Sequence, residues 1–154
     1  MRTGSWWTRL SGMPPADLIP RDHDRPTPPL LLAEAGAAII VASLAVRIVP
    51  FRALAERLSR GVAGSATADG ETVYWLRRAV LAWSRRLPWR TLCFEQGLAA
   101  FAMLRRRELA ATLHYGAATI DGELKAHVWV MSGKREVVGC ENKEDYGLLA
   151  RFPT

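Results

Sequence analysis

The sequence predicts an α+β domain, with helices first and an antiparallel sheet after them. Apolar residues recur at three- and four-residue steps as far as Leu104, the period of amphipathic helices. Beyond Ala110 the texture changes to short runs separated by Asp121-Gly122 and Ser132-Gly133-Lys134, which are turn signals. The length of 154 residues, with 49% hydrophobic and 23% charged residues, suits one globular domain with its own core.

The elements follow in order. Residues 1–29 hold the run Pro20-Arg-Asp-His-Asp-Arg-Pro-Thr-Pro-Pro29, whose prolines block helix and sheet, so this stretch reads as an irregular tail before a domain over 30–154. No apolar segment with a small-residue cleavage site precedes that run. With only two cysteines, the expectation is a cytoplasmic protein with reduced thiols. Leu30–Val49 approaches the length of about 20 apolar residues that spans a bilayer. Glu34 and Arg47 interrupt it, so it reads as a buried core helix rather than a stable membrane span.

Pro50–Leu58 is a second short amphipathic helix, and the small residues of Gly61–Gly70 form a loop. Glu71–Leu87 is helical, with Val73, Leu76, Val80, Trp83 and Leu87 on one stripe and Arg77, Arg78, Arg85 and Arg86 on the other face. Pro88 ends it. Thr91 can cap a further helix that runs through Leu104 into Arg105-Arg-Arg107, whose charges complement the helix dipole. Ala111–Ile120, Glu123–Met131 and Arg135–Val138 then form a sheet of at least three strands.

Lys and Arg number 21 against 15 Asp and Glu, for a net charge of +6. That balance suits nucleic acid, an acidic peptide or an anionic surface equally. The arginines, with Arg90, offer a positive face for docking an acidic peptide or a protein. A non-enzymatic basic module for nucleic acid or a protein partner is the alternative reading, although no zinc-finger, RNA-recognition or helix-turn-helix pattern supports it. Metal-ligand spacing and a Gly-rich phosphate loop are both missing from the sequence, so no intrinsic cofactor is expected.

Cys93 stands near the predicted start of a helix, where free N–H groups and the dipole favour the thiolate and can hold an oxyanion. Alternation places His127, Trp129 and Met131 on one strand face and Ala126, Val128 and Val130 on the other. Packing of the first face on the Cys93 helix would let His127 act as general base. Glu141 is the choice for a third group orienting the imidazole, ahead of Asn142 and Asp145. Gln96 lies one turn after Cys93 and can position substrate, while Trp129 can shield the pair from water. His114 and His23 read as structural or exposed. The competing role for Cys93 is a structural or redox pairing with Cys140. A helix-borne cysteine followed by a strand-borne histidine is the papain and transglutaminase order, and it implies that kind of core.

The block Leu87-Pro-Trp-Arg-Thr-Leu-Cys-Phe-Glu-Gln-Gly-Leu-Ala99 resembles the nucleophile helix of lasso-peptide maturation proteases, a branch of the transglutaminase-like superfamily. Ala110-Ala-Thr-Leu-His-Tyr-Gly116, Ala126-His-Val-Trp-Val130 and Tyr146-Gly-Leu-Leu-Ala-Arg-Phe152 continue the match in order. The resemblance implies a leader peptidase whose nucleophile is Cys93 and whose histidine is His127. The family's acidic member would fall near Gly139-Cys140-Glu141, which holds no aspartate. Implied partners are a precursor peptide, a lasso cyclase and a separate leader-recognition protein, since residues 1–29 are too short and proline-rich for a recognition domain. Any dependence on ATP is implied by the resemblance alone.

Overall fold

Prolines set the first two helices. In this computed structural model, which describes residues 24–60, 64–87 and 93–153, Pro29 opens α1 (Pro29–Ile48) where a missing N–H breaks no hydrogen bond. Pro50 plays the cap of α2 (Phe51–Ser59). A two-residue strand, β1 (Ala66–Thr67), leads to α3 (Gly70–Arg86), which Asp69 caps by accepting the Thr72 N–H at 2.7 Å. Then come α4 (Cys93–Arg106), β2 (Leu109–Ala110), β3 (Thr112–Ile120), β4 (Glu123–Ser132), β5 (Arg135–Val138) and β6 (Gly147–Phe152), with a 3-10 turn at Lys143–Asp145 before the last. The expected cap at Thr91, the stop at Pro88, Arg90, and His23 with most of the expected tail lie outside the described residues.

The main sheet is antiparallel in the order β5-β4-β3-β6, and β1 and β2 form a small parallel pair. The mixed helix and sheet architecture matches the expected α+β class. Asp121 and Gly122, both at positive φ, make the tight turn between β3 and β4. β6 is a fourth strand, in keeping with the expectation of at least three. Its pairing with β3 shifts between Tyr115 and Gly116, so Leu149 is an extra residue and the period-two pattern is broken.

Helix α4 is the middle layer. One side packs on α1 and α3, and the other packs on the sheet through Leu113, Val128 and Val130. Leu98, Phe101, Met103 and Leu104 are almost fully buried, as a helix covered on both sides requires. The approach to β4 is close at Gly97, where a Cβ would stand 2.5 Å from Val128 Cγ1. A similar contact at Gly36 lets Trp83 of α3 lie against α1 and donate its indole N–H to the Leu32 carbonyl at 2.6 Å.

Two expectations need correction. The α1 helix is only partly a core element: Ala35, Ile39 and Ala42 are buried, whereas Val41 is 65% and Ile48 82% exposed. By length and composition it is apolar enough to cross a membrane, and its inner face joins the domain core. The basic residues are also less of a surface than their sequence positions imply. Arg77 is buried, Arg107 makes paired contacts with Glu34 at 2.5 and 2.9 Å, and Arg105 donates to the Ser59 and Arg60 carbonyls at 3.3 Å. Arg107 and Arg105 clasp α4 to α1 and to the end of α2, and Arg77 joins α3 to the segment after β5.

The Gly97 contact makes a direct prediction. Gly97→Ala pushes against a β-branched side chain that has little rotamer freedom, and overpacking of this kind costs about 1–3 kcal/mol. Urea unfolding should show a lower midpoint with an unchanged slope, and a wild-type midpoint would show that the helix and strand can separate freely.

Candidate active site

Cys93 is the first residue of α4 and His127 lies on β4, two elements that pack closely at Gly97 and Val128. Strand register decides how the two side chains are presented. Leu113 pairs with Val130 and Tyr115 with Val128, and this face joins the core that includes Cys93 and Phe94. His114 pairs with Trp129 and Gly116 with His127 on the opposite face. The expectation that the His127, Trp129 and Met131 face packs on the Cys93 helix is therefore overturned. The reason is volume and polarity: the valine face fits the small and apolar surface of α4, and the ring face does not.

Cys93 nevertheless reaches the residue next to His127. The backbone amides of Val128, Cys93 and Phe94 each act on the thiol and favour its charged form. Burial is the larger influence and pushes the thiol above its ordinary value, with the charge of Glu95 adding to the rise and the three amides opposing it. The expected lowering by the helix terminus is thus outweighed at rest. Cys140 does not pair with it. Both cysteines are free thiols, and Cys140 is buried against the Val130 and Val138 carbonyls, its thiol pushed up to about 12.

His127 Nε2 lies 2.6 Å from the Gly139 carbonyl. A carbonyl has no proton to give, so Nε2 donates, and the lone pair of the neutral ring sits on Nδ1. Burial holds the imidazole below its ordinary value, opposed by the Gly139 carbonyl and the Glu141 charge. Among the described residues its ring hydrogen bond is to Gly139, in the segment where an acidic third member was expected, and not to Cys93. Glu141 does not orient the imidazole directly. Its carboxylate is ion-paired with Arg77 and reaches His127 only through its charge.

The rings form a row across the open sheet face. Trp129, only 7% exposed, stacks with His114 at 5.3 Å and with His127 at 6.0 Å between centroids. Trp129 thus packs against the imidazole. Gln96 is half-buried on α4, three residues after Cys93. Tyr146 was missed by residue-level reasoning. Its ring centroid lies 4.7 Å from that of His127, and burial and then the charge of Cys93 push its phenol up. Its place in the matched block around Gly147–Phe152 was the available signal. Among the described residues no three His, Cys, Asp or Glu side chains cluster to hold a metal ion.

Two pH dependences follow. Alkylation of Cys93 by iodoacetamide, mapped by mass spectrometry, should be slow at neutral pH and accelerate as pH passes the ordinary thiol value of 9.0, with Cys140 silent. Rapid labelling of Cys93 near pH 6 would show a resting thiolate instead. The depressed imidazoles of His114 and His127 bind fewer protons folded than unfolded, so their stabilisation is complete above the unfolded value of 6.5 and is lost as pH falls below it. Denaturant melts should show stability declining from pH 7 to pH 5, with a smaller decline in His127→Gln; equal slopes would contradict the burial of this ring.

Searches of curated proteins and of solved structures each find no match to the chain. A family profile does match, over residues 37–151, from the middle of α1 to the end of β6. That span contains the helix-borne cysteine, the strand-borne histidine and the sheet that joins them. The chain belongs to the transglutaminase-like superfamily, which includes cysteine peptidases.

Proposed function

We infer that the chain is a cysteine peptidase that removes the leader from a ribosomally made lasso-peptide precursor. The observation that carries the reading is the junction of α4 and β4. There α4, which begins at Cys93, packs against Val128, one residue from a histidine whose Nε2–H is held by Gly139 and whose Nδ1 is the basic atom. The resemblance in the blocks around Cys93, His127 and Tyr146 supplies the substrate class.

The chemistry uses these residues in sequence. The buried thiol and imidazole are both neutral at rest, and the reaction requires Nδ1 and the sulfur to come within hydrogen-bond distance in the substrate complex, a contact that the resting arrangement does not make. His127 takes the Cys93 proton while the sulfur bonds the scissile carbonyl carbon and the carbonyl electron pair moves to oxygen. The Cys93 backbone N–H and a neighbouring donor stabilise that oxyanion. Collapse breaks the C–N bond, and the leaving amine takes the proton from His127. The imidazole then deprotonates a water that hydrolyses the thioester, returning the thiol and releasing the leader with a free carboxylate.

The freed core amine is the nucleophile that a separate cyclase uses for macrolactam formation. A separate recognition protein presents the precursor in the cytoplasm, and exposed Arg85 and Arg86 supply positive charge for acidic leader residues. Gln96 serves in substrate positioning.

With the recognition protein present, the purified chain should cleave a lasso precursor once, between leader and core, as read by mass spectrometry. Cys93→Ala and His127→Ala should each abolish cleavage without unfolding the chain. Full activity in Cys93→Ala would end the proposal. Affinity for random DNA above that for the precursor would instead favour a nucleic-acid module.

A further inference from the structure

Arg77 is a costly residue for its position. It lies on the α3 stripe with Val73 and Val80, all three buried, and is itself only 7% exposed. A buried guanidinium is tolerated where its charge is met, and Arg77 meets Glu141, which lies 64 residues further along the chain. Glu141 follows the end of β5 by three residues. Between them Gly139 adopts positive φ, and a Cβ there would collide with the Val128 carbonyl, so the turn is pressed against β4 at the catalytic strand. The Gly139 carbonyl is the acceptor that holds His127.

We propose that Arg77 is a positioning residue: by anchoring Glu141 it fixes the turn whose Gly139 carbonyl sets the tautomer of His127. The turn is then held at both ends, by the β5 ladder at Val138 and by the ion pair at Glu141, with the buried Cys140 between them. The role that an acidic third member would fill directly is divided here. A backbone carbonyl contacts the imidazole, and an arginine and a carboxylate hold that carbonyl in place. The catalytic part of this inference rests on the peptidase reading, whereas the tautomer part rests on the geometry alone.

The test is nitrogen NMR of the full chain labelled with 15N-histidine, at a pH where His127 is neutral. Wild type should show one His127 tautomer, protonated at Nε2. Arg77→Met removes the buried charge and leaves Glu141 at the protein surface, and it should turn that signal into a mixture of both tautomers. Arg77→Met/Glu141→Gln, which removes both charges of the pair, should do the same and serves if the single variant unfolds. With precursor and recognition protein, kcat should fall between about 10- and 100-fold with KM unchanged, the range typical of outer partners that orient a histidine. Arg77→Lys should recover part of it. A single Nε2–H tautomer retained in either folded variant would overturn the proposal, and so would an unchanged kcat. Because the tautomer is read without substrate, absence of cleavage by wild type would sink the peptidase reading and leave this result to stand or fall separately.

Discussion

The contact between Gly97 of α4 and Val128 of β4 governs most of what surrounds it. A helix carrying a side chain at Gly97 would stand further from the sheet, and the Cys93 sulfur, one turn earlier, would lift away from the Val128 amide. Close approach at one glycine therefore joins the hydrophobic core to the chemistry. The same packing explains why the sheet turns its valines inward. Val128, Val130 and Leu113 fill the surface of α4, and the polar rings of His114, Trp129 and His127 take the other side.

Burial shapes the electrostatics of the site more than the helix terminus does. Desolvation is the largest influence on Cys93 and on His127, and in both cases it favours the neutral form. Backbone groups work against it: amides near the sulfur and a carbonyl on the imidazole. On the proposed peptidase reading, a neutral thiol beside backbone donors is a protected resting state, from which charge develops when a substrate carbonyl receives it. The ion pair of Arg77 and Glu141 lies one layer outside, where a charge can brace the turn without standing in the path of the reaction.

The arginines show where sequence reasoning and folding part company. Arg77, Arg105 and Arg107 read in the sequence as members of one positive face. Each finds an intramolecular acceptor from a distant segment: Glu141, the end of α2, and Glu34. Periodicity reports which face is apolar, but it holds no information on which helix end meets which loop. The exposed half of α1 is the converse case. Val41, Leu44 and Ile48 are as apolar as the buried Ile39, and composition could not tell one side of the helix from the other.

The sequence by itself determined the helix-then-strand order, the Asp121-Gly122 hairpin and the placing of Cys93 at a helix start and His127 on a strand. These depend on local rules: apolar period, turn chemistry and the conformational limits of proline and glycine. Only the tertiary structure decided which face of β4 meets α4, because alternation defines two faces without ranking them. It also decided that Gly139 rather than Glu141 contacts the imidazole, that Tyr146 joins the site, and that β6 completes the sheet. Each of these depends on register and on contacts between segments far apart in the chain, and the physical cause is competition for a limited buried volume that no single segment can settle alone.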